Sequence, residues 1–156
     1  MNDEIRELRE DVLNEQIHLE ETIKLLIQTK KRISENPTDH TVGPALGTYL
    51  MNFYNGLENI LKRICKIYYG SAILKSSTWH KDLLDISYQP PVGKNPILSR
   101  NVVERLYQYK NFRHRFISGY GFQLKLEKMS ELVDNAQPLW LQIKQELDQF
   151  FTKIPS

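Results

Sequence analysis

Cysteine is nearly missing from this chain of 156 residues: Cys65 stands alone, so no internal disulfide forms and no set of thiolates can hold zinc. Long apolar runs are missing as well, since none approaches the roughly eighteen residues that a membrane span requires. The start, Met1-Asn2-Asp3-Glu4-Ile5-Arg6, is charged where a signal peptide turns apolar, which predicts a soluble, unexported, cytoplasmic protein without membrane contact. An excess of one charge is also lacking. Lys and Arg number 21 against 19 Asp and Glu, a formal charge of +2, so any surface for nucleic acid has to be local. No His-x-x-x-His pair, no Gly-x-x-x-x-Gly-Lys phosphate loop and no Gly-x-Ser-x-Gly elbow occurs, which leaves metal hydrolysis, nucleotide hydrolysis and serine-esterase chemistry without support. Neither a metal nor a cofactor is implied.

Glycine and proline are sparse, seven of each, and they fall in clumps that separate long stretches of helical periodicity. From Asp3 to about Ser34, Ile5, Leu8, Val12, Leu19, Ile23, Leu26 and Ile33 share one helix face, and Asn36-Pro37 stops the run. Residues 1–23 of the chain hold eight acids against two bases, and Lys24, Lys30, Lys31 and Arg32 follow at the far end, which matches the helix dipole. A second, central helix is expected from Thr41–Pro44 to Tyr69-Gly70, with Leu46, Tyr49, Leu50, Phe53, Leu57, Ile60, Leu61, Ile64 and Ile67 as a wide apolar face. Cys65 reads as part of that core. A short third helix is expected over Trp79 to Ile86 with Ser76 or Ser77 as its cap, and a fourth from Ser99 to about Ile117. Glu127 to Lys153 is the last helical stretch, which Pro138 either kinks or restarts. The expected fold is all-α: an antiparallel up-and-down bundle of four to five helices, one domain over residues 1–156.

Charge gathers in one place. From Lys94 to Arg115 there are six bases and one acid, Glu104, and Arg105, Tyr109 and Arg113 recur at four-residue spacing. A cationic stripe with an aromatic ring in it suits phosphate and unstacked bases, with Lys110 and Arg115 adding charge. The competing reading is a solvated helix end, where cations are favoured in any case. Among the four histidines, His18 lies between acids on the first helix, His40 in a proline-flanked link, and His80 at the start of the third helix, where capping or packing accounts for it. His114 differs, being flanked by Arg113 and Arg115.

Three blocks then carry a family likeness: Phe53-Tyr54-Asn55-Gly56-Leu57-Glu58-Asn59-Ile60-Leu61, Trp79-His80-Lys81-Asp82-Leu83-Leu84, and Phe112-Arg113-His114-Arg115-Phe116-Ile117-Ser118-Gly119-Tyr120-Gly121-Phe122. Together, over about Leu46 to Phe151, the chain resembles the HepT-like branch of the HEPN superfamily. The resemblance implies a helical bundle that dimerises and cleaves RNA without metal. It implies attack of the RNA 2′-hydroxyl on the adjacent phosphate, with a motif arginine and histidine at the reacting centre. Arg113 and Tyr120 stand in register with that motif, while the histidine position holds Ser118.

That replacement has a chemical consequence. A serine hydroxyl does not titrate near neutral pH, and losing a general base costs a factor of about 100 to 10,000. His114 is the substitute that the same stretch offers. It precedes Ser118 by four residues and is offset from Arg113 by about 100° around the axis, a gap that a partner protomer can close in a site shared across a two-fold. By resemblance, Glu58 is the acid that holds the motif arginine; read as a plain residue it is a surface glutamate. The resemblance further implies a minimal nucleotidyltransferase antitoxin as partner and AMP attachment at Tyr120; otherwise Tyr120 packs under its loop. Two functions thus compete: an endoribonuclease toxin, and a catalytically silent module that binds RNA or the transferase. A purely structural helical partner is the third.

Overall fold

The first helix begins where the chain supplies its own cap: Asn2 Oδ1 accepts the Glu4 backbone N–H at 2.9 Å, and Asp3 and Glu4 sit at the positive end of the dipole. The computed structural model describes residues 2–70, 77–120 and 126–154, without the side chains of residues 119–120 and 126–128. Among these residues it contains five helices and no strand, an all-α bundle as the periodicity predicts. Helix α1 spans Asp3–Glu35 and ends at Asn36, whose N–H returns to the Arg32 carbonyl. The Arg32 guanidinium then grips Asp39 (3.1 Å) and Thr41 (3.3 Å) across the link to the next helix.

Helix α2, Val42–Ile64, continues into a π-helical turn, Cys65–Tyr69, closed by Gly70 in the left-handed conformation at φ 63°. The wider turn was not legible in the spacing and shifts the register at its end. Ile67, expected in the core, faces outward, and Tyr69 is buried in its place, donating to the Asn95 carbonyl at 2.6 Å. Helix α3, Trp79–Tyr88, is capped by Thr78 in place of Ser77, while Ser76 lies outside the described residues. Thr78 Oγ1 bonds Asp82 at 2.8 Å. The following loop is tied back through the Ser87 carbonyl, which accepts from Ile97 (2.8 Å) and Leu98 (3.1 Å).

Helix α4, Arg100–Arg115, has Ser99 as N-cap and runs into a second π-helical turn, Phe116–Tyr120. Helix α5, Leu126–Lys153, carries Pro138 in its interior as one element. The neighbours Asp134, Asn135 and Gln137 are exposed, so the carbonyl that the proline leaves unpaired has water to meet.

Side-chain pairs fix the helix directions. Asp11 meets Arg63 and Leu19 packs on Gly56, so α1 and α2 run antiparallel. Glu20 meets Lys144 and Lys30 meets Asp134, which sets α5 antiparallel to α1. Ser99 reaches Glu146 and Tyr109 reaches Leu132, so α4 opposes α5. The four long helices therefore alternate up and down, with α3 inserted as a short brace beside α2 and α4. Helix α2 is central: Leu50, Phe53, Tyr54, Ile60 and Ile64 are all fully buried against its neighbours.

Two glycines on α2 test this packing in opposite directions. A Cβ at Gly47 would lie 2.5 Å from the Phe116 ring, whereas at Gly43 its nearest neighbour is Met129 at 3.9 Å. Gly47→Ala is expected to lose about 1–2 kcal/mol net, since overpacking outweighs the helix-propensity gain. Gly43→Ala is expected to gain up to about 1 kcal/mol. Thermal melts of the two variants should move to opposite sides of the parent.

Candidate functional site

Tyr54, Asn55 and Glu58 occupy consecutive turns of α2, and the spacing of three and four residues places their side chains on neighbouring positions of one helix face. Asn55 receives α4: Arg113 Nε donates to Asn55 Oδ1 at 2.5 Å. Glu58 receives α3. Its carboxylate is 3% exposed and lies 2.6 Å from His80 Nδ1. Because an ionised carboxylate only accepts, Nδ1 is the donor of this bond, and Nε2 is the ring nitrogen left without a partner among the described residues. The His80 ring stacks on Trp79 at 3.6 Å between centroids, and Lys62 Nζ sits 4.5 Å above the Trp79 ring. The imidazole is thereby held at both its face and its edge.

Tyr54, next to Asn55 in sequence, has a buried Oη that makes no well-formed hydrogen bond among the described residues. Burial first, and then the adjacent Glu58 carboxylate, push its phenol well above the ordinary range, while the Arg113 charge pulls the other way. One phenol thus feels both ends of the cluster. A further bonded set lies between α3 and α4: Tyr107 donates to Asp85, and Lys81 reaches the same carboxylate at 2.9 Å. Burial raises the Asp85 carboxyl, but the bonds from Tyr107 and Lys81 outweigh it and leave the group below the usual range.

The expected site residues are distributed differently from the stripe that spacing suggested. Arg105 is half-buried and donates to Gln142 of α5 at 3.1 Å. Tyr109 is in the core: its ring meets Phe53 edge-on at 5.4 Å and its hydroxyl donates to the Leu132 carbonyl at 2.6 Å. The ring cannot serve as a platform for a base. Four-residue spacing defines a shared face, and here that face turns toward α2 and α5. Lys110 is half-buried 5.9 Å from the Tyr107 ring, while Arg115 is exposed.

His114 is exposed, and its backbone carbonyl accepts Ser118 Oγ at 2.8 Å, so the serine hydroxyl is engaged by its own helix. Tyr120 closes the second π-helical turn, and its side chain lies outside the described residues, as does Gly121. Glu58, expected either to hold Arg113 or to lie on the surface, is buried and held by His80; the hand on Arg113 is Asn55. Sequence reading did not single out Asn55, and it assigned His80 to capping or packing. Their signal was present, since each belongs to one of the three family-like blocks, but neither stands in the arginine motif.

The arrangement presents a cation to an anion. An amide holds Arg113 through Nε without neutralising it, and among the described residues no carboxylate pairs with that guanidinium, so its Nη edge keeps the full charge. Among the described residues no group of three or more His, Cys, Asp or Glu is placed to hold a metal, and no helix is long and apolar enough to cross a membrane. Cys65 is buried and its thiol is pushed up to about 12, which suits a core residue and not a nucleophile.

Against known proteins, a family model described as HepT-like protein matches residues 45–154, well over half of the chain. No curated protein and no solved structure matches.

Two measurements check this description. Tyr107→Phe is expected to cost about 1–3 kcal/mol at pH 7. Because the folded Asp85 carboxyl sits below its unfolded value, that advantage persists above the ordinary aspartate range and shrinks below about pH 4; a gap constant down to pH 2 would contradict the assignment. Cys65 should resist Ellman's reagent in the native protein at pH 8 and react fully in denaturant.

Proposed function

The chain belongs to the family of HepT-like proteins, and from that membership and the Arg113 site we propose that it is the RNA-directed component of a toxin–antitoxin pair, a metal-independent endoribonuclease. The observation that carries this reading is the guanidinium of Arg113, oriented by Asn55 and left with its charge available. A phosphodiester is the ligand that such a group fits, because two parallel N–H donors match two phosphate oxygens. In the reaction, the RNA 2′-oxygen attacks the adjacent phosphorus, the bond to the 5′-oxygen breaks, and a 2′,3′-cyclic phosphate and a 5′-hydroxyl result. Arg113 stabilises the charge that builds on the phosphoryl oxygens.

The active form in this reading is a homodimer in which two copies of Arg113 approach one groove, with RNA phosphate offsetting their repulsion. The partner is a minimal nucleotidyltransferase antitoxin, and Tyr120 is the acceptor of the nucleotide that silences the toxin. These assignments are supported by the family and by the register of Arg113 with Tyr120. Arg115, exposed two residues further along the chain, adds positive charge for RNA.

A second reading, a silent module that binds RNA or the transferase, is favoured by Ser118, whose hydroxyl is bonded to the His114 carbonyl. Incubation of the protein with RNA in EDTA separates the two. Cleavage leaving 2′,3′-cyclic ends, reduced by a factor of about 100 or more in Arg113→Ala, supports the nuclease. Arg113→Lys should recover binding more than turnover, because an ammonium lacks the planar fork. Salt-sensitive RNA binding with intact RNA supports the silent module, and Ser118→His should then create cleavage. Light scattering should return a dimer at micromolar concentration; a strict monomer overturns the shared groove.

A further inference from the structure

The α2 face that orients Arg113 also holds the His80 imidazole, through Glu58. Asn55 and Glu58 are three residues apart, about 4.5 Å along the axis, so Arg113 and His80 dock on successive positions of one helix. They arrive from different elements, α4 and α3, which is why neither the arginine motif nor its spacing points to His80. Tyr54, adjacent in sequence to Asn55, experiences both the Glu58 carboxylate and the Arg113 guanidinium, which places the two pairs in one electrostatic neighbourhood.

His80 has the exposure such a task needs: its side chain is 32% accessible, while Glu58 behind it is 3% accessible. Only Nδ1 is engaged, and among the described residues Nε2 has no partner. Burying a carboxylate to hold one half-exposed ring is a poor way to add stability, since an apolar pair of equal volume commonly does as well or better. As an orienting device it is effective, because it fixes the tautomer and aim of the ring and stabilises the imidazolium after it takes a proton. Among the described residues, His114 has neither a carboxylate partner nor a stacked ring holding it.

We propose that His80, positioned by Glu58, is the proton-transfer group of this site and supplies the function that the motif histidine would have at position 118. The inference rests on the endoribonuclease reading above. As the 2′-oxygen bonds to phosphorus, its proton passes to His80 Nε2; the departing 5′-oxygen takes a proton from the imidazolium, directly or relayed through a water, which restores the neutral ring. Glu58 is a positioning residue, acting through the imidazole.

The test compares cleavage of one oligoribonucleotide in EDTA by the full chain and by His80→Ala, His80→Gln, Glu58→Gln, Arg113→Ala and, as control, His40→Ala. His80→Ala and His80→Gln are expected to lose a factor of about 100 to 10,000 in kcat with KM little changed, and added imidazole should restore part of the rate to the alanine variant. His80→Gln keeps a donor for Glu58, so its melting curve separates a lost base from a lost fold. Glu58→Gln should keep the fold and lose the single tautomer, read from the ¹⁵N shifts of the His80 ring. His40→Ala should match the parent. An uncleavable 2′-deoxy oligonucleotide should shift the His80 Nε2 resonance, and should do so less in Arg113→Ala. If cleavage depends on Arg113 while His80→Gln turns over at the parental rate, or if His114→Ala abolishes cleavage in its place, this proposal falls and the nuclease reading stands. If the parent leaves RNA intact, both fall together.

Discussion

A carboxylate taken out of water has to be met by a donor, and in this bundle that requirement joins three helices at one point. Glu58 projects from the most enclosed helix, and the partner that satisfies it comes from the shortest, so the brace α3 is located by an electrostatic need as much as by its buried leucines Leu83 and Leu84. Once α3 is seated, Asp85 is brought to Tyr107 of α4, and the Ser87 carbonyl ties down the loop that leads to the α4 cap. Arg113 at the far end of α4 then falls on Asn55, one turn of α2 before Glu58. The polar contacts that α3 and α4 make to α2 at Glu58 and Asn55 thus share one face of that helix.

The same logic explains why the basic segment is less exposed than its composition suggests. Of the stripe made by Arg105, Tyr109 and Arg113, the middle member is core, and each arginine is held by a side-chain amide, Arg105 by Gln142 of α5 and Arg113 by Asn55 of α2. A charge that is oriented but not neutralised is the useful kind for gripping an anion, whereas a fully solvated one is screened and conformationally loose. The region matching the HepT-like family contains most of α2 and all of α3, α4 and α5, hence every member of this cluster; α1 lies before it and covers the opposite side of α2.

Much of the architecture was legible in the residues. The periodic run from Asp3 ends where Asn36-Pro37 indicates, Ser99 caps α4, and Gly70 terminates the central helix in the left-handed conformation that glycine permits. Less legible were the two π-helical turns, because an inserted residue alters the register without altering composition; Ile67 exchanged places with Tyr69 for that reason. Pro138 was ambiguous, since a proline at an exposed helical position costs a hydrogen bond that water can replace.

For the site, spacing along one helix identified Arg113 and placed Tyr109 with it, yet gave no means of choosing between an outward and an inward face. By itself, then, the sequence determined the helical class, the helix boundaries to within a few residues, and the family likeness. Only the tertiary structure decided that Glu58 is buried, that His80 is its partner across 22 residues of chain, and that an amide orients Arg113. The physical reason is that periodicity reports which residues share a face, while burial and pairing depend on what that face meets, and the meeting residues come from helices far apart in the chain.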